Sequence, residues 1–230
     1  HPAEGSVAEF SEGSRVPVIN GGDGANEHPT QALLDLYTIR SELADRGRTL
    51  DTLRVAMMGD LKFGRTVHSL SRLLQLFEGV KVNLVSPPEL KMPAEIVDEL
   101  RAGGHDVLET DSLEVGIADV DIVYSTRLQE ERFTTRAEAD AYRGRFRLNQ
   151  GIYTAHCEPN TVIMHPLPRD SREGARELDV DLNDNPNLAI FRQSDNGVLV
   201  RMALFALILD VVERVDDHSR PVSWYTERRF

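Results

Sequence analysis

The sequence contains a single cysteine, Cys157, among 230 residues. One cysteine excludes an internal disulfide and the usual four-ligand zinc site built on cysteine, so we expect a reducing, cytoplasmic compartment. An excess of positive charge is also lacking, because 26 Lys and Arg stand against 38 Asp and Glu, a formal net charge of -12. That sign argues against a protein that coats nucleic acid or binds an anionic membrane surface, although it leaves room for a local basic pocket.

Long hydrophobic runs are missing as well. The longest, 198–212, is interrupted by Arg201 and Asp210, and it falls short of the roughly 20 apolar residues of a membrane-spanning helix. The chain begins with His1 and has no signal-peptide pattern, so we expect a fragment, a processed form or a missing upstream segment. With 40% hydrophobic and 28% charged residues, the composition is that of a globular protein with a substantial core.

The hydrophobic pattern predicts strands and helices in alternation. Apolar runs predict strands at 16–20, 53–58, 80–85, 106–109, 122–124 and 161–164. Helical periodicity predicts helices from Pro29 to about Leu43, then at 64–77, 93–102, near Leu113 and at 198–215. Strands separated by helices indicate an α/β fold, a doubly wound parallel sheet with helices on both faces.

The loop from Gly59 to Thr66 leaves a predicted strand and opens a predicted helix. Its spacing is that of a nucleotide-binding phosphate loop, except that Arg65 stands where such a loop has Lys. Arginine is a planar fork suited to carboxylates, and Asp60 would repel phosphate oxygens. A phosphate loop, a carboxylate-binding Arg65 and a tight turn with a merely solvated Arg65 are the alternatives.

A second loop at the end of a strand carries Arg127 and Gln129. In an open α/β sheet the carboxyl ends of the strands converge on the ligand crevice, so Arg65 and Arg127 are expected to face the same space. Two arginines there indicate a dicarboxylate ligand. The alternative is a surface cluster of salt bridges with Glu130 and Glu131.

A third segment, His165-Pro166-Leu167-Pro168-Arg169, also follows a strand. The two prolines restrict its backbone, and X-Pro bonds in a defined turn are where cis peptides occur. Such a turn directs backbone carbonyls at a ligand amide, although most proline-rich turns are plain loops.

The fourth segment places His28 at a helix N-terminus, with Gln31 about one turn further on. The N-terminus of a helix favours anions and lowers the pKa of an imidazole there. Both side chains are therefore candidates to donate hydrogen bonds to a polarised carbonyl, against the alternative of a capping or packing histidine.

The four segments occur in a fixed order: D-G-x-N-x-H-P-T-Q at 23–31, G-D-x-K-x-G-R-T-x-H-S at 59–69, T-R-x-Q-x-E-R at 126–132 and H-P-L-P-R at 165–169. In combination they closely resemble the catalytic chain of aspartate transcarbamoylase (aspartate carbamoyltransferase), and the resemblance runs from His1 to about Val215. The relative that acts on ornithine typically has Cys in place of the first Pro of H-P-L-P, so Pro166 favours aspartate.

The resemblance implies transfer of a carbamoyl group from carbamoyl phosphate to the α-amino group of L-aspartate, giving N-carbamoyl-L-aspartate and phosphate in pyrimidine biosynthesis. It implies no metal and no organic cofactor. In this sequence His28 and Gln31 would contact the carbamoyl group, with His28 stabilising the oxyanion that forms as the amine adds.

The resemblance also assigns the remaining site residues. Arg65 and Arg127 would bind the two carboxylates of aspartate, and Gln129 would assist. The backbone of Pro166 and Leu167, held in a cis turn by Pro168, would accept hydrogen bonds from the carbamoyl amide and the attacking amine.

By the same resemblance, residues 1–46 would be the end of a carbamoyl-phosphate domain with a linking helix, 52–196 an aspartate-binding domain, and 197–215 a helix that packs back on the first domain. The S-T-R-T phosphate cradle of the family, a further arginine and a lysine-bearing loop lent by a neighbouring subunit are absent from the sequence. We therefore expect most of the first domain to be missing and the helix at 198–215 to expose apolar side chains.

Three alternatives follow for this polypeptide: part of an ordinary enzyme that forms homotrimers, with or without regulatory chains; half of a split enzyme; or an aspartate-domain module that is inactive alone. A phosphate-loop protein that hydrolyses nucleotides is the alternative from another class. We assign no function to the charged tail at 216–230.

Overall fold

Five parallel strands form the centre of the structure, a computed structural model that describes residues 1–130, 133–135, 137, 140–172 and 174–218. The strand order is β3-β2-β1-β4-β5, so β1 lies in the middle and pairs with β2 on one side and β4 on the other. The strands are β1 Arg54–Met58, β2 Lys81–Val85, β3 Asp106–Thr110, β4 Ile122–Ser125 and β5 Val162–Met164. The sheet confirms the predicted α/β fold.

Seven helices accompany the sheet in the described part of the chain. They are α1 Ser6–Glu12, α2 Pro29–Ala44, α3 Arg65–Leu74, α4 Ala94–Ala102, α5 Leu113–Ile117, α6 Gln150–His156 and α7 Ile190–Ile208. Short 3-10 helices lie at Leu50–Thr52, Pro88–Leu90, Val180–Asp184 and Val212–His218. All strands predicted from Leu53 onwards are present, each within two residues of its expected bounds.

The two faces of the sheet are covered by different helices because successive strand side chains point to opposite sides. Val55 and Met57 of β1 belong to a buried core that includes side chains of α2, α3 and α4. Ala56 and Met58 belong to a second core, built with α5, α6 and the segment before α7. The continuous apolar runs of the strands therefore reflect burial on both faces.

The prediction of a strand at 16–20 is wrong. These residues form an irregular segment, and Val16 and Val18 are exposed at 69% and 41%. A β-branched run becomes a strand only when another strand supplies hydrogen-bond partners, and none of the described strands reaches this segment.

The last long helix also differs from its prediction. α7 begins at Ile190, eight residues before the expected start, and ends at Ile208 rather than at Val215. Asp210 has φ 54, a left-handed conformation that terminates a helix. Among the described residues no helix is long and apolar enough to cross a membrane.

One side of α7 is apolar and exposed, as expected from the sequence. Leu199, Met202 and Phe205 are 55%, 57% and 56% exposed. The other side of the helix packs against α2. Large exposed apolar patches mark surfaces that bind another protein surface.

Candidate functional site

A cleft of about 230 Å³ opens where the loops after β1, β4 and β5 meet the N-terminus of α2. The loops after β1 and β4 leave the sheet at its topological switch point, where ligands bind in open α/β sheets. The cleft is lined by all eight site residues predicted from the sequence, namely His28, Gln31, Arg65, Arg127, Gln129, Pro166, Leu167 and Pro168. It is also lined by residues of the same four motifs that were given no role in the site from the sequence: Gly24, Gly64, Thr66, Thr126 and His165.

His28 is the N-cap of α2. Its Nδ1 accepts a hydrogen bond from the backbone N–H of Gln31 at 3.3 Å. Because a backbone N–H can only donate, Nδ1 carries no proton and the neutral ring carries its proton on Nε2. Burial, followed by the positive charges of Arg65 and Arg201, lowers the pKa of His28 to about 4. The ring is therefore a neutral donor at pH 7.

Arg65 is the first residue of α3, and its guanidinium lies against the loop before α2. Nη1 donates to the backbone carbonyl of Gly24 at 3.1 Å. This approach requires glycine at position 22, where φ is +118 and a Cβ would lie 2.8 Å from Cζ of Arg65. The loops around β1 and α2 are thus fitted to each other at the cleft.

Asp60 joins the loop after β1 to the loop after β4. Its buried carboxylate accepts hydrogen bonds from the backbone N–H groups of Phe63 at 3.0 Å and Gln129 at 3.1 Å. Gln129 Nε2 in turn donates to the carbonyl of Phe63 at 2.5 Å. Burial raises the pKa of Asp60. A carboxylate that occupies the N–H of Phe63 disfavours a nucleotide phosphate loop, in which the N–H groups of the loop bind phosphate.

Arg127 lies in the loop after β4, one residue beyond the buried Thr126. Thr126 Oγ1 donates to the carbonyl of Met58 at 3.1 Å, which fixes the loop to the end of β1. Gly59 permits this contact, since a Cβ there would lie 2.4 Å from the carbonyl oxygen of Thr126. Arg127 and Arg65 consequently line the same cleft.

The turn after β5 contains a cis peptide bond between Leu167 and Pro168, as predicted. Its first residue, His165, is 1% exposed. His165 Nδ1 accepts from the backbone N–H of Leu167 at 2.8 Å, and Nε2 lies 2.8 Å from Oε1 of Glu177. These contacts hold the turn from within, so that Pro166, Leu167 and Pro168 border the cleft.

Glu130 was a candidate partner of Arg127 in a surface cluster. Its carboxylate instead pairs with Arg143, through two hydrogen bonds of 2.7 Å, and with Arg172. Hydrogen bonds from these two arginines lower the pKa of Glu130 to about 2. The pair with Arg172 connects the loop after β4 to the loop after β5. The other candidate, Glu131, and the neighbouring Arg132 of the motif lie outside the described residues.

The cleft combines two arginines with a neutral imidazole, an amide and a restricted turn. This set fits an anionic ligand that also carries a polar carbonyl or amide, because arginine forks bind carboxylates in pairs of hydrogen bonds. In the part of the chain that the structure describes, no group of three or more His, Cys, Asp or Glu side chains could hold a metal ion.

Two family models match the chain. Residues 51–208 match the Asp/Orn binding domain of aspartate/ornithine carbamoyltransferase, and residues 1–41 match the carbamoyl-P binding domain of the same family. Sequence of both domains is therefore present. This match does not support the expectation that most of the first domain is missing.

Curated relatives and solved structures agree with this match. The chain is 70% identical over 229 residues to the aspartate carbamoyltransferase catalytic subunit of Cellvibrio japonicus, and 72% identical over 230 residues to that of Saccharophagus degradans. It covers 68% of each of these relatives, and each alignment covers 100% of this chain.

Among solved structures, the chain is similar to the catalytic subunit of aspartate transcarbamoylase from M. jannaschii, with 42% identity and a TM-score of 0.78 over 93% of this chain and 66% of that one. It is also similar to the Trypanosoma cruzi enzyme in complex with carbamoyl phosphate and aspartate, with 36% identity and a TM-score of 0.79 over 92% of this chain and 65% of that one.

Proposed function

This chain belongs to the aspartate carbamoyltransferase family, and we propose that its cleft transfers a carbamoyl group from carbamoyl phosphate to the α-amino group of L-aspartate. The products are N-carbamoyl-L-aspartate and phosphate, in pyrimidine biosynthesis. The observation that carries the proposal is that Arg65, Arg127 and the neutral donor His28 line one cleft. A dicarboxylate and a reacting carbonyl require these two kinds of group.

His28 acts on the carbamoyl carbonyl. As the amine adds to the carbon, the oxygen gains negative charge, and the Nε2–H of His28 donates to it. A neutral imidazole serves this role because it keeps its proton throughout the step. Gln31 contacts the carbamoyl amide, and the backbone carbonyls of Pro166 and Leu167 accept from that amide and from the attacking amine.

Arg65 and Arg127 bind the two carboxylates of L-aspartate, and Gln129 supports them from the loop after β4. Each guanidinium makes two parallel hydrogen bonds with a carboxylate, which fixes direction as well as distance. This orientation holds the α-amino nitrogen against the carbamoyl carbon. Placing two reactants in the correct geometry supplies a large part of the rate of such a reaction.

The bond between the carbamoyl carbon and the phosphate oxygen breaks with its electron pair on phosphate. The departing phosphate takes up a proton that the attacking amine releases. Atoms and charge then balance without a general base, a metal or an organic cofactor. The side chains of the cleft position the substrates and stabilise the developing negative charge, and none of them is consumed.

The groups that bind phosphate are not among the four motifs of this sequence, and we infer that other residues of the working form provide them. In this proposal residues 1–46 belong to the carbamoyl-phosphate domain, residues 52–196 form the aspartate-binding domain, and residues 197–215 pack back on the first domain. The boundary at 196 falls inside α7, so that one helix serves both parts. The working form is a cytoplasmic homotrimer, with or without regulatory chains.

The test is formation of N-carbamoyl-L-aspartate from radiolabelled carbamoyl phosphate and L-aspartate by the purified chain without added metal, with L-ornithine as control. Binding of L-aspartate in the presence of phosphate is measured in parallel by NMR titration. Turnover with aspartate, or binding of aspartate over ornithine, supports the proposal. A folded chain that binds L-aspartate no more tightly than L-ornithine would overturn the proposal.

A further inference from the structure

Asp35 is a carboxylate with no exposed surface on α2, one turn after Gln31. It accepts hydrogen bonds from Gln31 Nε2 at 2.9 Å, Tyr124 Oη at 2.6 Å and Gln193 Nε2 at 2.6 Å. These donors come from α2, β4 and α7. Among the described residues no Lys, Arg or His forms an ion pair with Asp35, so neutral donors alone balance its charge.

The direction of these hydrogen bonds follows from a backbone group at the edge of the cleft. The N–H of His165 can only donate, and it donates to Gln193 Oε1 at 2.9 Å. The amide nitrogen of Gln193 is therefore the end that faces Asp35. Asp35 Oδ1 accepts from it and also from Gln31 Nε2. The remaining polar atom of the Gln31 side chain is its carbonyl oxygen, Oε1.

We infer that Asp35 is a positioning residue, which turns the carbonyl oxygen of Gln31 toward the cleft and thereby selects a substrate that carries an NH₂ group at the carbamoyl position. The inference rests on the proposed function and deepens it. Gln31 lines the cleft, whereas Asp35 lies behind it. Without Asp35, the amide of Gln31 could rotate by half a turn and place its own NH₂ group opposite the NH₂ group of the substrate. Two donors would then face each other, whereas an analogue with a methyl group at that position would lose no hydrogen bond.

The same residue acts on the turn after β5. Through Gln193, Asp35 is connected to the backbone of His165, whose ring in turn accepts from Leu167 N–H at 2.8 Å. In the proposed reaction the carbonyls of this turn also face the carbamoyl NH₂. Asp35 thus aligns two kinds of acceptor, one side chain and one backbone turn, on a single donor group of the substrate.

The energetic cost of Asp35 is consistent with a functional role. Burial raises the pKa of Asp35 to about 7, although the hydrogen bonds from Tyr124, Gln193 and Gln31 act in the opposite direction and lower it. Replacing buried charged groups by apolar residues of similar size is often neutral or stabilising. A site that needs an acceptor at this position retains the carboxyl group despite the cost.

The experiment compares two ligands of nearly equal shape, N-carbamoyl-L-aspartate and N-acetyl-L-aspartate, which differ by NH₂ against CH₃. Both are titrated by NMR into the 230-residue chain with phosphate present, so that no turnover is required. We expect the wild-type chain to prefer the carbamoyl ligand by about tenfold or more, since a site built around an NH group rejects an analogue that lacks it.

Asp35→Ala should reduce this preference by about tenfold, the effect of a hydrogen bond of ordinary strength. Asp35→Asn should retain the preference, because its oxygen can accept from both glutamines while its NH₂ donates to Tyr124 Oη. Asp45→Asn, at an exposed position after α2, is the matched control and should behave as wild type. Should Asp35→Ala not fold, Asp35→Ser replaces it, with the same expected loss.

Gln31→Ala tests the connection. If Asp35 acts through Gln31, adding Asp35→Ala to Gln31→Ala should cause little further loss of preference, since coupled residues are not additive. A merely structural role would weaken binding of both ligands alike and leave the ratio unchanged, which would overturn the inference. Equal binding of the two ligands by the wild-type chain would also overturn it while leaving the proposed function intact. If the wild-type chain bound neither of the two ligands, both the inference and the proposed function would be overturned.

Discussion

The backbone N–H of His28 donates a hydrogen bond to Ser69 Oγ at 2.8 Å, and this contact attaches the N-terminus of α2 to the second turn of α3. Ser69 Oγ in turn donates to Glu27, which also pairs with Arg72. The imidazole that enters the cleft is thus held from two helices.

Removing the Ser69 hydroxyl should therefore weaken both the fold and the site. Ser69→Ala leaves the His28 N–H without its partner, and we expect the free energy of unfolding to fall by about 1 kcal/mol. Urea denaturation measures it. Ser41→Ala, at an exposed position of α2, is the control for helix propensity. Equal stability of the two variants would contradict the prediction.

The pKa of His28 offers a second test. Because it is lowered to about 4 in the folded chain, the Cε1 proton resonance should titrate with a midpoint near pH 4. Arg65→Gln removes a positive charge and should raise the midpoint, while burial keeps it below 6.5. Arg40→Gln, at an exposed position of α2, should leave it unchanged.

The same lowered pKa makes stability depend on pH. The unfolded chain binds a proton at His28 below pH 6.5, whereas the folded chain does so only near pH 4. The contribution of neutral His28 is therefore complete above pH 6.5 and is lost as the pH falls toward 4. Relative to His28→Gln, the wild type should lose stability between pH 7 and pH 5 in urea denaturation, and a constant difference would refute this.

Arg127 should be essential for ligand binding. Arg127→Ala should lower the affinity for L-aspartate by about 100-fold or more, because it leaves a carboxylate without a charged partner. Arg127→Lys should not restore it, since an ammonium lacks the planar fork. Arg145→Ala, at an exposed position near the same loop, is the control. Unchanged affinity in Arg127→Ala would contradict the carboxylate assignment.

Glu130 should act on the ligand site through the loop that carries Gln129. Glu130→Gln weakens the pairs with Arg143 and Arg172, and we expect the affinity for L-aspartate to fall about twofold to fivefold, the range of a partly exposed ion pair. High salt should reduce the difference from wild type. Glu95→Gln, an exposed change on α4, should have no effect; if it matches Glu130→Gln, the loop connection is wrong.

The apolar side of α7 should drive self-association of the isolated chain. Replacing Met202 and Phe205 by Glu should lower the sedimentation coefficient at high concentration, because it breaks a contiguous apolar surface. The circular dichroism spectrum should stay the same. Phe10→Glu, at a single apolar side chain that is 66% exposed, is the control and should leave the association unchanged.

Local patterns were sufficient to predict most of the sheet. The strands at β1, β2, β4 and β5 are buried on both faces, and their apolar runs stand out between glycine and polar turns. The site residues followed from the rule that the carboxyl ends of parallel strands converge, together with the family resemblance. The segment at 16–20 failed because strand formation depends on a partner that composition does not reveal.

The start of α7 was missed because its first turns are polar. Gln193 is 1% exposed and bonds to Asp35, while Asn196 donates to Thr38 at 2.9 Å. Periodicity assigns such residues to solvent, although here their partners lie on α2. Asp35 was missed for the same reason, since a carboxylate between Leu34 and Leu36 gives no local sign of complete burial.

The amino-acid sequence by itself determined the α/β class, the five strands from Leu53 onwards and the residue types at the strand ends, because these depend on local periodicity and turn chemistry. Only the tertiary structure decided that His28 is a neutral donor, that Asp60 joins two loops and that Asp35 accepts a hydrogen bond from Gln31. Those properties arise from burial and from hydrogen bonds between residues far apart in the chain, and the free energy of a polar group depends on the partners that surround it.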